Sequence, residues 1–363
     1  MSIIPIDRQH GGNPPAGTLD FSASINPLGP PADAIAAYHA ASARIGAYPP
    51  ARGERLERAL AQWLGVEPTN VLAGNGTTQL IHLLARTLGV ERAAIAIPTF
   101  SEFANALALA GVSAAAIHLE ADRGYLLDPA DIDIALEAGA RAIFIGRPNS
   151  PTGSMLSADA AREIAGRCAS RGALCVLDEA FIDFADAESS VQLAASRPGL
   201  FVLRSLTKSF SIPGLRLGCI IAAPAAIAKL AASIEPWSVN VAAEAVGLAC
   251  IGVAPEFLAH TREVIAAERE FLVRALSTID GVEIFPSTAN FLMLRVAEEP
   301  APGAFAAHML RDGIAIRDLA VMPGAGTGLY RIGIRLRADN QRLVAAAARW
   351  IAAREQVDTH ATA

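Results

Sequence analysis

The chain has 363 residues, with 30 Lys+Arg against 36 Asp+Glu and a formal net charge of −6. Hydrophobic residues make up 52% and charged residues 18%, which excludes a disordered chain and leaves ample material for a large core. The acidic balance offers no basic footprint for nucleic acid, and no uncharged apolar run reaches the roughly 18 residues of a membrane span.

From the N-terminus, residues 1–40 are dense in Gly, Pro and Asn and read as an extended arm. Its first stretch, Met1–Asn13, lacks the apolar run of a secretory signal. From about residue 70 to 225, short apolar runs alternate with helical stretches. The strand candidates are Ala93–Pro98, Arg141–Gly146, Ala173–Asp178, Phe201–Leu206 and Cys219–Pro224. The helical candidates are Thr77–Leu88, Ser157–Arg171 and Pro224–Ile234. Apolar strands alternating with helices predict an α/β fold with a mainly parallel sheet covered on both faces. Residues 41–254 are expected to form this large domain. Beyond it, a charged helix (Pro255–Leu276), strands at Phe291–Val296 and Tyr330–Leu336, and a helix at Asn340–Arg354 predict a smaller α+β unit over 255–363. Residues 355–363 read as a frayed end. The cysteines, Cys168, Cys175, Cys219 and Cys250, form no Cys-x-x-Cys, so buried reduced thiols and a cytoplasmic protein are expected.

Three segments carry chemistry. Ala73-Gly74-Asn75-Gly76-Thr77-Thr78-Gln79 follows a short apolar strand and opens a helix. Its glycines allow close backbone approach, and free N–H groups at a new helix favour an anion. A turn with no ligand would look the same. In Leu174–Ala180 an apolar strand ends in the carboxylates Asp178 and Glu179, where parallel sheets bind ligands. A helix cap is the alternative there. The third segment runs from Arg204 to Gly218. Only Lys208 and Lys229 are lysines, so 28 of the 30 basic residues are arginine, and side-chain amine chemistry has two candidates. Lys229 lies in a helical stretch where a solvated lysine is ordinary. Lys208 follows a buried strand among hydroxyl residues, with Arg216 eight positions on. A desolvated lysine of this kind suits Schiff-base chemistry.

The ordered set resembles the fold-type I pyridoxal-phosphate enzymes, in the aminotransferase branch that includes the histidinol-phosphate aminotransferases, over essentially the whole chain. The resemblance implies pyridoxal 5'-phosphate joined to Lys208, Asp178 on the ring nitrogen, Phe100 stacked on the ring, and Gly76, Thr77, Ser205 and Arg216 on the cofactor phosphate. It implies a homodimer in which Tyr48 reaches the neighbouring subunit's cofactor phosphate. Within the branch, His10–Asn13, Asp20–Gly29, Asp178–Phe184 (with Phe181 where tyrosine is usual) and Pro236–Asn240 are more similar to the threonine-phosphate decarboxylases of cobalamin biosynthesis. That similarity implies loss of carbon dioxide from L-threonine O-3-phosphate, giving (R)-1-amino-2-propanol O-2-phosphate. Arg317 and Arg331 would then grip the substrate anions, and His10 and Asn26 from the arm would close the site. Arg335, on the same strand face as Arg331, reads as a solvated surface residue. The chain departs at Ser150, where the family usually carries an asparagine that donates to the cofactor's 3-oxygen. An aminotransferase of the histidinol-phosphate type is the alternative, since both reactions use one pocket and differ in how the substrate is positioned. A non-catalytic pyridoxal-phosphate-binding regulator is a more remote one.

Overall fold

A computed structural model describes residue 4, residues 10–297 and residues 299–361, the side chains of 351–361 excepted. Most of Met1–Asn13 and residues 362–363 thus lie outside the described residues.

The arm contributes strand β1 (Leu19–Asp20). The central sheet is built from β2 (Val71–Gly74), β3 (Arg92–Ile97), β4 (Ser113–His118), β5 (Ala142–Gly146), β6 (Leu174–Asp178), β7 (Leu200–Ser205) and β8 (Gly218–Ile221). Its order is β2-β8-β7-β6-β5-β3-β4, and only β8 runs against its neighbours. Every residue of β5 and β7 is buried. Along these strands alternate side chains enter different cores: Ile143, Leu177 and Val202 face one, Phe144, Val176 and Leu203 the other. Each such buried aliphatic or aromatic side chain contributes roughly 1.5–3 kcal/mol, so the sheet is a stiff platform. The ends of β3, β5, β6 and β7 deliver Pro98–Phe100, Pro148–Ser150, Asp178 and Lys208 to one edge of it. Strand β4 was not among the expected strands; its three consecutive alanines, in a strand with exposed Ser113 and His118 at its ends, give a weak apolar signal.

The smaller unit contains β9 (Val282–Ile284), β10 (Phe291–Val296), β11 (Ile314–Ala315), β12 (Arg317–Asp318) and β13 (Leu329–Gly333). β12-β13-β10-β9 form an antiparallel sheet, and β11 pairs in parallel with β1 of the arm. The arm is thereby sewn to this unit: the Phe21 N–H donates to the Ala315 carbonyl at 2.8 Å, and the Gly333 N–H to the Phe21 carbonyl at 2.7 Å. It also touches the large unit, where the Asn26 N–H donates to the Lys208 carbonyl at 3.1 Å.

Several boundaries differ from expectation. The arm stops being extended after Pro31, because the alanine-rich segment Ala32–Ala41 is helical. The helix expected from Pro255 begins at Val241 and runs unbroken to Leu276, capped by the Asn240 side chain accepting from the Ala243 N–H. Pro255 removes one backbone donor, but Ala254, Leu258, Ile265 and Leu272 hold the helix on the core. The boundary at 254/255 therefore falls inside one shared helix rather than at a linker. By length and composition this helix would suffice to cross a membrane, yet Val246, Cys250 and Ala254 on it are packed in the interior. The last helix spans Arg337–Ala361, past the expected fraying point. All four cysteines are free and buried, as expected.

Candidate active site

A cavity of about 420 Å³ opens where the sheet edge, the arm and the smaller unit meet, a size suited to a small molecule. Lys208, Arg216, Arg317 and Arg331 line it, against the carboxylates of Asp178 and Glu102. The excess of fixed positive charge fits an anionic ligand.

Lys208 sits on a one-turn helix, Leu206–Ser209, directly after β7. Burial, together with the charges of Arg331 and Arg216, pushes its ammonium down to about 8, with Asp178 opposing. Near neutrality this amine is therefore neutral far more often than an ordinary lysine, though still mostly charged. Asp178 ends β6 and accepts from the Ala180 N–H at 2.9 Å. Burial pushes its carboxyl up to about 6 despite that bond, with Glu179 adding and Lys208 subtracting. Glu179 faces the other way, into a fully buried ion pair with Arg147 at 2.6 Å. One carboxylate of the adjacent pair is left for the cavity and the other locks the β5–β6 loops.

The first glycine segment also fits its expected use. Gly76 has φ +77° and starts the helix Gly76–Thr87, whose first turn presents Thr77 and Thr78 to the cavity. A Cβ at Gly76 would stand 2.7 Å from an Arg216 nitrogen, so only glycine lets that guanidinium lie against the loop. Ser205 shares a hydrogen bond with Thr207 at 2.7 Å, and both line the cavity. Phe100 lines it as well, edge-on to Phe103 at 6.0 Å.

Arg317 and Arg331 are paired across the antiparallel ladder of β12 and β13, which brings two cations to one wall. Arg331 donates from Nη1 to Ser150 Oγ at 3.0 Å and from Nη2 to the Ser22 carbonyl at 2.6 Å. Burial and the charge of Arg317 push it down to about 10, with Asp20 opposing. Its Nε has no partner among the described residues, and neither does Ser24 Oγ, although both are buried. Two orphaned donors at one cavity point to a missing acceptor group.

Of the expected residues, His10, Thr77, Phe100, Ser150, Asp178, Ser205, Lys208, Arg216, Arg317 and Arg331 line this cavity, and Gly76 supports it from behind. Asn26 does not line it. Its amide donates to the Ser209 carbonyl at 2.7 Å and to Thr261 Oγ1 at 2.9 Å, which spends the side chain on anchoring the arm. Tyr48 is 82% exposed and leans on Trp237, with ring centroids 5.1 Å apart, and does not line its own chain's cavity. Arg335 is more engaged than expected, donating to Asp339 and to the Asp20 carbonyl. Ser24 and Glu102 were missed. Ser24 lies in the arm motif two residues before Asn26, yet it lines the cavity while the Asn26 amide is held by Ser209 and Thr261. Glu102 carries no signal beyond following Pro98-Thr99-Phe100.

The sequence pattern of the aminotransferase class I and II family matches residues 16–346. The chain belongs to this family. Among class I and II relatives, the threonine-phosphate decarboxylase of Salmonella typhimurium is 36% identical over 349 residues, covering 93% of this chain and 95% of the relative. A histidinol-phosphate aminotransferase of Archaeoglobus fulgidus is 31% identical over 340 residues, covering 92% and 93%. The crystal structure of the histidinol-phosphate aminotransferase from Clostridium acetobutylicum superimposes with a TM-score of 0.84 at 26% identity, covering 91% of this chain and 98% of that one. The fold-type I architecture expected from the sequence is thus the observed one. The cofactor of the class I and II family is pyridoxal 5'-phosphate, and the cavity suits it: an amine on Lys208, a carboxylate on Asp178, a ring on Phe100, and an anion cradle of helix N-terminus, hydroxyls and Arg216.

Proposed function

We propose that this chain is a threonine-phosphate decarboxylase, converting L-threonine O-3-phosphate to (R)-1-amino-2-propanol O-2-phosphate and carbon dioxide in cobalamin biosynthesis. The observation that carries this reading is the pairing of Arg317 with Arg331 opposite the Lys208–Asp178 edge, together with the full-length similarity to a named threonine-phosphate decarboxylase.

When bound, pyridoxal phosphate supplies an electron sink that eases bond cleavage at the substrate's α-carbon. The chain's own residues do the rest. Lys208 holds the cofactor through its amine, which its depressed pKa keeps partly neutral. Asp178 holds a proton on the ring nitrogen by placing a negative charge against it. Thr77, Ser205 and Arg216 bind the cofactor phosphate, the arginine as a planar fork. Arg317 and Arg331 fix the substrate's phosphate and carboxylate, and their angle selects the bond to be broken. Ser24, with its unpartnered buried hydroxyl, adds a donor to that anion site. The arm narrows the entrance through His10. Residues 41–254 supply the cofactor site, and the arm with 255–363 supplies the substrate wall.

We infer further that the active unit is a homodimer. Ile45, Tyr48 and Trp237 are 80%, 82% and 48% exposed, an apolar surface that suits a partner subunit receiving Tyr48.

The test is to incubate the holoenzyme with threonine phosphate and quantify carbon dioxide, then to repeat with a keto acid and quantify amino transfer. Carbon dioxide release dominating supports the decarboxylase. Amino transfer outpacing it returns the chain to the histidinol-phosphate aminotransferase type, and neither reaction would leave a non-catalytic binding role.

A further inference from the structure

Glu102 is a carboxylate lining a cavity otherwise suited to anions. Bare, it would repel a phosphorylated substrate. It is not bare: His10 Nε2 of the arm lies 3.3 Å from Oε1, and His82 Nε2 of the helix Gly76–Thr87 lies 3.1 Å from Oε2. Asn105 Nδ2, one turn along from Glu102, donates to Oε1 at 2.7 Å. The His10 ring also lines the cavity, 6.2 Å from the Phe100 ring. Its side chain is 49% exposed, against 13% for Glu102. The carboxylate is thus a largely covered post, and the more exposed histidine is the group it presents.

We propose that Glu102 is a positioning residue that orients the arm's His10 toward the phosphate of the substrate. This rests on the phosphorylated-substrate reading above. Nε2 faces Glu102 at 3.3 Å, which leaves Nδ1 as the ring nitrogen that can meet the phosphate. Burial alone would raise the Glu102 carboxyl, but hydrogen bonds from His82 and Asn105 and the charge of His10 hold it below its ordinary value. It therefore remains an anion through the range in which an imidazole changes charge, about pH 5 to 8. The other charged groups around the cavity are Lys208, Arg216, Arg317, Arg331 and Asp178. Variants are compared at equal pH so that these cancel. The trio couples substrate charge to arm closure, because a phosphate completes a chain of phosphate, His10, Glu102 and His82 that pins the arm.

Glu102→Gln keeps the shape and removes the charge. KM for threonine phosphate at pH 7 is expected to rise about tenfold, with kcat changed by less than about twofold and unphosphorylated threonine nearly unaffected. His10→Gln should raise the KM for threonine phosphate by a similar factor and leave unphosphorylated threonine nearly unaffected. Wild-type decarboxylation is measured first, since its absence overturns the substrate reading itself. Normal turnover with an unchanged KM in Glu102→Gln overturns the role of Glu102 alone. If Glu102→Gln fails to fold, His10→Gln at its half-exposed arm position carries the same comparison. An unchanged KM for threonine phosphate in His10→Gln overturns the proposal.

Discussion

Arg331 Nη1 donates to Ser150 Oγ at 3.0 Å, so a strand of the smaller unit is tied directly to the loop after β5. The Ser22 carbonyl takes Nη2 at 2.6 Å, and one guanidinium joins the large unit, the small unit and the arm. Ser150 was expected to serve the cofactor. In this geometry its oxygen accepts from Arg331, leaving its own proton to donate elsewhere. Ser150→Ala should release one side of the arginine and cost about 1 kcal/mol of substrate binding, a roughly fivefold rise in KM with kcat less affected. Steady-state kinetics with threonine phosphate, run beside an absorption spectrum of the bound cofactor, separates the two roles. A spectral change with no change in KM would mean that Ser150 serves only the cofactor.

The two cavity arginines should be separable from the cofactor site. Removing either bidentate donor from a desolvated anion site is expected to cost about 2–4 kcal/mol of transition-state binding, or roughly 30- to 1000-fold in kcat/KM. Arg331→Ala and Arg317→Ala should therefore be weak enzymes that still hold pyridoxal phosphate. Unphosphorylated threonine should lose less from the change that removes the phosphate contact. Equal losses on both substrates for both variants would show that neither arginine reads the phosphate.

Much of the site was legible because its chemistry is local in sequence. Asp178 ends an apolar strand, Lys208 follows another, and Gly76 opens a helix; a strand end or helix start fixes where such side chains point. What was not legible depends on rotation and long-range contact. Ser24 and Asn26 are two residues apart in the arm, yet the Asn26 side chain is held by Ser209 and Thr261, partners far away along the chain. Glu102 gains meaning only through His10 and His82, which come from two other elements. The shared helix Val241–Leu276 was hidden for a related reason: Pro255 reads locally as a start, while the packing that carries the helix through it is tertiary.

Borohydride reduction of the holoenzyme should fix the cofactor on Lys208, and peptide mapping should find it there. Lys208→Ala should bind pyridoxal phosphate more weakly and yield no reduced adduct. Lys229, on the helix Pro224–Ala231 and outside the cavity lining, should remain unlabelled. Label on Lys229 would overturn the assignment.

Tyr48 should matter only in the assembled dimer. Its hydroxyl has no place in its own chain's cavity, so Tyr48→Phe should leave folding intact and weaken cofactor retention by roughly ten- to 150-fold, the value of one hydrogen bond to a charged group. Sedimentation of the wild type across a dilution series, with activity read at each concentration, tests the underlying assembly. Full activity from a monomer would remove the role given to Tyr48.

The buried amine should destabilise the apoprotein in a pH-dependent way. Lys208 titrates at about 8 in the folded chain against an ordinary 10.5, because burial and the charges of Arg331 and Arg216 disfavour its ammonium. Between those values the unfolded chain binds the proton and the folded chain does not, so stability rises with pH across that window. Below about 8 both states are charged and the folded one bears the full cost, of order 3 kcal/mol by the size of the shift. Lys208→Met keeps the length and removes the charge. Its apoprotein should be more stable than the wild-type apoprotein at pH 7, and the gap should shrink as pH is raised from 8 toward 10.5. Urea midpoints of both proteins, stripped of cofactor and measured at matched pH values, give the comparison directly. A gap that stays constant over that range, or a variant less stable at pH 7, would show that Lys208 is not held charged at a cost.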